Sequence, residues 1–330
     1  MKTRGIAIAA LLLAGGSIAR PVAFAGPPAP ATFSIVAADP AAGEVGVAVA
    51  SRFFAVGTVV PWAEAKVGAV ATQAYANTSW APKALEMLRG GRSPEEILAA
   101  LKAGDPEFGR RQFGLVASDG RSITWTGPGC AAWAGGRSGK NYAVQGNILA
   151  GAQVVEVMEK KFLEAKGCLA DRLFATLRAG DAAGGDSRGK ESAALIVYRE
   201  KGGYGGFNDR AIDVRVDDAE DPFPELGRLV MLGRTSDLWN QAWSAFTEKR
   251  YAEALPLQEK AVELIDQLTS IRAEVMYDLA VIRLAAGKKP QAIEALGQAL
   301  KWNPKLKAQA AGDSDLAGMK DDPAYQALVR

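Results

Sequence analysis

The sequence contains no histidine. That absence removes the Ser-His-Asp and Cys-His routes to an activated nucleophile. It also removes histidine-ligated zinc and the metalloprotease signatures built on it. Cysteine is scarce: Cys130 and Cys168 are the only two. Two thiols so far apart exclude a Cys-rich metal site, and spacing alone leaves open whether they form a disulfide. An all-carboxylate magnesium or calcium site stays open, but no EF-hand spacing is present. No metal ligand and no cofactor is assigned. A charge excess of either sign is lacking too, with 39 basic residues against 37 acidic ones. A near-neutral chain without a long basic run argues against a nucleic-acid partner. An enzyme written in this alphabet works with lysine, carboxylates, hydroxyls or a backbone amine.

What is present begins with an export pattern. Lys2 and Arg4 precede an apolar run, Ile6 to Ala14, too short for a membrane span. Two small-x-small sites follow, Ala23-Phe24-Ala25 before Gly26 and Ala29-Pro30-Ala31 before Thr32. The pattern predicts a cleaved signal within residues 1–31 and a periplasmic or secreted protein, with an uncleaved anchor as the alternative. Residues 1–31 hold three basic residues (Lys2, Arg4, Arg20) and no acids, so 39 less three leaves 36 basic against 37 acidic. No later apolar stretch is long enough to span a bilayer after cleavage.

Two regions of different character follow. From Thr32 the chain reads as strands (Thr32–Ala38, Glu44–Ser51, Val67–Tyr75, with Thr58–Pro61 as a possible extension of the sheet), then helices over Pro82–Arg89 and from Ser93 to about Lys102. Ser93-Pro94-Glu95-Glu96 carries an N-cap, a first-position proline and first-turn acids. A hairpin is predicted over Arg111–Ala117 and Ser122–Thr126, then a strand at Tyr142–Asn147, helices over Gln153–Lys166 and Leu169–Ala179, and strands over Ser192–Arg199 and Ala211–Val216. Runs of one type followed by runs of the other point to α+β with two sheets between helical layers. The acidic, proline-broken stretch Asp217–Pro224 marks an edge. Beyond it the chain is helical and self-similar at a shift of 38: Trp239 with Tyr277, Ala242 with Ala280, Phe246 with Leu284, Ala254 with Ala292, Ala261 with Ala299. Small residues at helix crossings resemble a tetratricopeptide (TPR-like) helical-repeat domain. The domains are therefore expected at 32–230 and 236–330. Two repeats rarely stand alone, so docking on the first domain, or on a protein or peptide partner, is expected.

Thr32 is the candidate with the sharpest chemistry. Inside a chain it is an ordinary strand threonine. As a first residue its own α-amine, with an ordinary pKa near 8, can act as general base for its hydroxyl. The block TFSIVAADPAAGEVGVAVASRFFAVGTVVPWAEAKVGAVATQAYAN, with TGPGCAAWAG, YAVQGNILAG, AGGDSRGKESAALIVYRE and GGYGGFNDRAIDVRVDD, resembles the bacterial family called domain of unknown function 1028 over roughly residues 32–230. The resemblance implies a four-layer αββα sandwich of the N-terminal-nucleophile (Ntn) hydrolase kind. The family's reaction and substrate are unsettled, so it gives a fold more firmly than a function.

Ntn hydrolases also place a lysine near the nucleophile about thirty residues on. Lys66, 34 residues after Thr32, fits that spacing, and its charge would lower the pKa values at the nucleophile. Its plain reading is a solvated strand-edge lysine. Thr72, Gln73 and Asn77 follow as polar groups that could face the site, an amide there serving as an oxyanion donor. Gln145 and Asn147, and Asp186 with Arg188, form polar clusters flanked by glycine, where backbone can approach a ligand closely. Asp186 with Arg188 reads equally well as a structural ion pair. The catalytic candidates are thus Thr32, Lys66, Asn77 and Asp186. Thr72, Gln73, Gln145, Asn147 and Arg188 are the substrate-binding ones. Gly136–Lys140 hints at a phosphate loop but fails it twice, with Ala134 where glycine and Asn141 where Ser or Thr is required.

Two functional readings follow. The first is an exported Ntn-type amidohydrolase acting on a small amide or peptide through Thr32. The second is a catalytically inactive Ntn-like binding protein whose helical repeats recruit a protein or peptide. Cutting after Ala31 frees the Thr32 amine, as self-cleavage at that bond would; cutting after Ala25 leaves Gly26–Ala31 ahead of it. The sequence names no substrate, and a Val- and Ala-rich sheet under helical layers is compatible with a homodimer.

Overall fold

The structure, a computed structural model, describes residues 32–330 apart from 266, 267 and 269. The expected export signal and both cleavage sites lie outside the described residues.

Among the described residues ten strands form two antiparallel sheets. The larger contains β1 (Thr32–Asp39), β2 (Glu44–Ser51), β7 (Gly135–Gly139), β8 (Tyr142–Asn147), β9 (Ser192–Arg199) and β10 (Arg210–Val216), in the order β10-β9-β2-β1-β8-β7. The smaller contains β3 (Pro61–Glu64), β4 (Gly68–Ala74), β5 (Arg111–Ala117) and β6 (Ser122–Thr126), in that order. Strand β1 is central, pairing β2 on one side and β8 on the other. The stretch read as a sheet extension at Thr58–Pro61 is instead a 3-10 turn, Val56–Thr58, leading into β3. Strand β7 carries no apolar alternation in GGRSG and gave no sequence signal.

Alternation along β1 divides the core. Val36 and Ala38 face the space between the sheets, with Val45, Val47 and Val49 of β2 and Ala69, Ala71 and Val116 of the smaller sheet. Small and β-branched residues let the sheets approach closely. Phe33, Ile35 and Ala37 face the other way, beneath α3 (Gln153–Glu164) and α4 (Leu169–Ala182). Those helices form because their apolar residues recur at helical spacing: Val154, Val155, Met158 and Phe162 on α3, and Leu169, Leu173 and Leu177 on α4. Each such fully buried side chain contributes about 2 kcal/mol. On the smaller sheet, α1 (Trp80–Arg89) and α2 (Pro94–Ala103) cover Val70, Phe113 and Leu115. The expected cap of α2 is a full capping box: Ser93 Oγ accepts from the Glu96 N–H at 3.2 Å, and the Ser93 N–H donates to Glu96 Oε2 at 2.8 Å. The layers run helix, sheet, sheet, helix, as the element order predicts.

Beyond Pro222 the described chain is helical: α5 (Phe223–Thr247), α6 (Tyr251–Glu263), α7 (Arg272–Ala285), α8 (Lys289–Trp302), α9 (Leu306–Gly312) and α10 (Pro323–Val329). The alanines that align at a shift of 38 (Ala242 and Ala280, Ala254 and Ala292, Ala261 and Ala299) are all fully buried, the small crossings between paired helices. Helix α5 belongs to both regions. Phe223, Leu226 and Val230 complete the core over the larger sheet, while Ala242 and Ala245 belong to the helical core. Residues 231–235, the expected boundary, lie within this one continuous helix. Arg199 of β9 clasps the junction, bonding Glu44 of β2 at 2.8 Å and Asp237 of α5 at 2.6 Å. Among the described residues no helix is long and apolar enough to cross a membrane.

Candidate functional site

Register places the polar residues of the sandwich together. Thr32 lies opposite Ser51 on β2 and opposite Asn147 on β8, and Ser51 lies opposite Ser192 on β9. Directly opposed residues share a face. Asn147, Thr32, Ser51 and Ser192 therefore form a polar row across four strands, with no more than 1% exposure at any of them. One step inward stand Gln145 and Ser34, and beyond them the layer becomes Ala143, Val36, Val47 and Ile196. The smaller sheet mirrors this gradient: Gln73, Gln112 and Thr126 are in register at the same end, with Ala71, Gly114 and Thr124 behind them. One end of the inter-sheet layer is thus polar and the other apolar.

Hydrogen bonds tie the two polar rows across the sheets. Ser34 Oγ donates to Gln73 Oε1 at 2.6 Å, and Gln145 Nε2 donates to Ser34 Oγ at 2.7 Å. Gln73 Nε2 donates to Gln112 Oε1 at 2.8 Å and reaches the Thr32 carbonyl at 3.3 Å. Asn147 Nδ2 donates to the same Gln112 oxygen at 3.0 Å, and Gln112 Nε2 donates to the Gly146 carbonyl at 2.7 Å. Gly114 makes room: a methyl group there would stand 2.2 Å from Gln145 Oε1. Buried amides satisfied this way form a stiff cross-sheet lock rather than a loose cavity lining.

Thr32 Oγ1 donates to Ser51 Oγ at 3.3 Å. The turn after Ser51 is pinned by Asp186. Its carboxylate accepts from the Arg52 N–H at 2.8 Å, from the Arg188 N–H at 2.9 Å and from Arg188 Nη2 at 3.0 Å. Arg188 Nη2 also donates to the Arg52 carbonyl at 3.0 Å, and Arg52 Nη1 to the Arg188 carbonyl at 2.6 Å. Two left-handed residues adjoin the same end: Ile148 (φ 52°) directly after Asn147, and Ala74 (φ 62°) directly after Gln73. A β-branched residue at positive φ is strained. The Ile148 N–H bonds the Ala131 carbonyl and its carbonyl accepts from Ser187, which holds it there.

The structure therefore brings together Thr32, Gln73, Gln145 and Asn147, with Asp186 and Arg188 anchoring the adjoining turn. Three expected residues lie elsewhere. Lys66 sits in the β3–β4 turn, at the opposite end of β4 from Gln73, roughly 20 Å away at the usual strand rise. It is 66% exposed and pairs with Glu200 at 2.5 Å. Thr72 shares its face with Val70, under α1, and its hydroxyl donates to the Asn77 carbonyl at 3.3 Å. Asn77 turns to Asp105, donating from Nδ2 at 2.9 Å. Burial pushes the Asp105 carboxyl up, but hydrogen bonds from Arg111, Asn77 and the Glu107 backbone outweigh it and hold the pKa below the usual value. Asn77 thus braces the start of α1. Cys130 and Cys168 are both free thiols. Burial pushes both thiols up, away from the nucleophilic thiolate.

Sequence reasoning missed Ser34, Ser51, Gln112 and Ser192. Ser34 was findable, since it shares the parity of Thr32 within an otherwise apolar strand. Gln112 also interrupts an apolar strand at inward parity. Among the described residues no group of three or more Cys, Asp or Glu side chains stands together as a metal site.

Comparisons with known proteins give a family without a reaction. No curated protein matches the chain. A crystal structure of protein SPO2555 from Silicibacter pomeroyi, itself described as DUF1028, superposes with a TM-score of 0.58 at 27% identity, over 64% of this chain and 94% of that one. The model of DUF1028, a family of unknown function, matches residues 32–226, which is the sandwich with the start of α5. The chain belongs to the DUF1028 family.

Proposed function

We propose that the chain is an exported hydrolase of the N-terminal-nucleophile type, acting on an amide bond through Thr32. The carrying observation is the position of Thr32: first residue of the central strand, side chain turned into the polar end of the layer between two sheets. The αββα order and the absence of histidine support the same reading. Cleavage of the Ala31–Thr32 bond supplies the base. Thr32 Oγ attacks the carbonyl carbon while the α-amine takes the hydroxyl proton. The C–N bond breaks, and the ammonium returns that proton to the leaving amine. Water, deprotonated by the same amine, then opens the ester, releases the acid and restores the hydroxyl. Asn147 Nδ2, which gives one of its two N–H groups to Gln112, supplies the other as the amide donor for the reacting carbonyl. Lys66 has no part in this scheme.

The test combines N-terminal sequencing of the protein from its exported fraction with an amide library assayed on wild type and Thr32→Ala. A chain beginning at Thr32, with turnover lost in the variant, supports the assignment. A stable chain beginning at Gly26, or equal turnover in both proteins, overturns it.

A second reading is favoured by the cross-sheet lock. Gln73 bonds Gln112 directly and is joined to Gln145 through Ser34, and the expected lysine lies at the far end. On this reading the sandwich is a catalytically inactive scaffold, and its helical region recruits a protein or peptide.

A further inference from the structure

The loop between β9 and β10 carries the two most exposed aromatic residues described, Tyr204 at 79% and Phe207 at 89%. Glycines shape it: Gly205 has φ 61° and Gly206 φ 74°, a backbone that other residues rarely adopt. The loop does not project into empty space. It forms one wall of a cavity of about 600 Å³, whose opposite wall is α5 with the half-buried Trp239 and Trp243. Asp278 of α7 lies on the floor, its Oδ2 accepting from Trp239 Nε1 at 2.6 Å. The cavity is continuous with a second, of about 520 Å³, sharing Gly205, Phe207, Asn240, Ser244 and Thr247. In that second part the charges compensate one another. Arg250 pairs with Glu248 and with Glu253, and Lys201 lies near them. The aromatic part has no cationic side chain in its lining to balance Asp278.

Four aromatic residues around one carboxylate are a poor site for an anion. They suit a cation. A guanidinium or ammonium gains from the ring faces and from the carboxylate together, and each ring contributes more once water is excluded. Arginine suits the place better than lysine, because its flat guanidinium stacks on rings while donating to a carboxylate. The joined grooves hold more than one side chain, and Asn240, Ser244 and Thr247 offer polar groups along them for a peptide backbone.

We infer that this groove, between the Tyr204–Phe207 loop and α5, binds an extended peptide by taking one of its basic side chains, arginine above all, between the aromatic rings and onto Asp278. This site is separate from the chemistry at Thr32, and it gives the helical region a ligand class. Burial of Asp278 agrees with it. Burial pushes the carboxyl up to about 6, Asp313, Glu274 and Asp315 add to the rise, and the Trp239 hydrogen bond lowers it. A cation in the groove relieves that penalty.

The test is tryptophan fluorescence of the full chain, titrated with blocked pentapeptide mixtures that have randomised flanks and a fixed central arginine. A matched mixture carries citrulline, which keeps the shape without the charge. Binding of the arginine mixture at least tenfold tighter than the citrulline one is expected. Phe207→Ala, a change at a solvent-exposed side chain that leaves folding intact, should weaken it at least fivefold, and Asp278→Asn at least tenfold. Blocked arginine amide alone should bind more weakly than the mixture. Equal affinity for arginine and citrulline, or no response to either mixture, overturns the inference. So does a dimer in solution that Phe207→Ala dissociates, because the rings then belong to a second copy. Amide turnover is not read in this experiment, so failure here and failure at Thr32 are told apart.

Discussion

Thr32 and Ser51 face each other across the β1–β2 ladder, with their hydroxyl oxygens 3.3 Å apart and both side chains buried. The pair stands at the end of the layer where two sheets exchange valines and alanines for amides and hydroxyls. A nucleophile at Thr32 has Ser51 as its hydroxyl neighbour. Thr32→Ser keeps an oxygen in place and should retain measurable amide turnover, while Thr32→Ala should lose it by at least a thousandfold. Ser51→Ala should slow turnover by about tenfold, the range for a single supporting hydrogen bond of about 1.4 kcal/mol. Rates for the three variants on one amide substrate decide this, and equal rates for Thr32→Ala and wild type exclude the role.

Gln112 is the hub of the cross-sheet lock. It accepts from Gln73 and Asn147 and donates to the Gly146 carbonyl. Removing it strands two buried donors, at about 1–3 kcal/mol each. Gln112→Leu should therefore lower the unfolding free energy by about 2–4 kcal/mol. Adding Gln73→Leu removes one of the stranded groups, so the double variant should lose less than the sum of the singles. Urea unfolding of the four proteins in the cycle measures the coupling. Simple additivity would show that the amides are independent.

Lys66 makes the opposite case. Its ion pair with Glu200 has both side chains more than half exposed, and exposed pairs contribute little. Lys66→Met should leave turnover unchanged and shift stability by less than about 0.5 kcal/mol. A large loss of turnover would mean that Lys66 reaches the nucleophile by a route this geometry does not contain.

The difference between Gln73 and Lys66 shows where the sequence is legible. Strand parity carries Thr32, Gln145 and Asn147 to one face once the strands are located, and both patterns lie in single short runs of sequence. The αββα order is legible for the same reason, since each layer is a run of one element type. Lys66 was placed by counting residues from Thr32, and counting does not say which end of a strand a turn occupies. Thr72 and Gln73 differ by one position and therefore by a face. Ser51 and Ser192 become neighbours only through a register between strands 141 residues apart in sequence, which no local pattern encodes. The stretch near 230 lies inside α5, which serves two cores, because one helix can change its buried face midway without a breaker. The aromatic groove was not legible at all: Tyr204 and Trp239 line one cavity only because the last sheet strands fold back against α5.

Asp278 gives the last expectation, and its sign follows from the proton count. Its carboxyl is raised from 3.8 to about 6 in the folded chain. Between those values the folded state holds a proton that the unfolded state has released. Stability therefore falls as pH rises through that window and stays lowered above it, by on the order of 2–3 kcal/mol. Asp278→Asn cannot ionise and still accepts from Trp239. It should match wild type near pH 4 and exceed it by about 2 kcal/mol at pH 7.5, as read by urea midpoints. Affinity for the arginine peptides moves the other way. It needs the ionised carboxylate, so wild type should bind more weakly at pH 5 than at pH 7.5, and Asp278→Asn weakly at both. A variant that is more stable and binds less would identify the carboxylate as a group kept for its ligand at the expense of the fold. A variant that is less stable at pH 7.5 would instead make Asp278 a structural partner of Trp239, with no ligand needed to account for it.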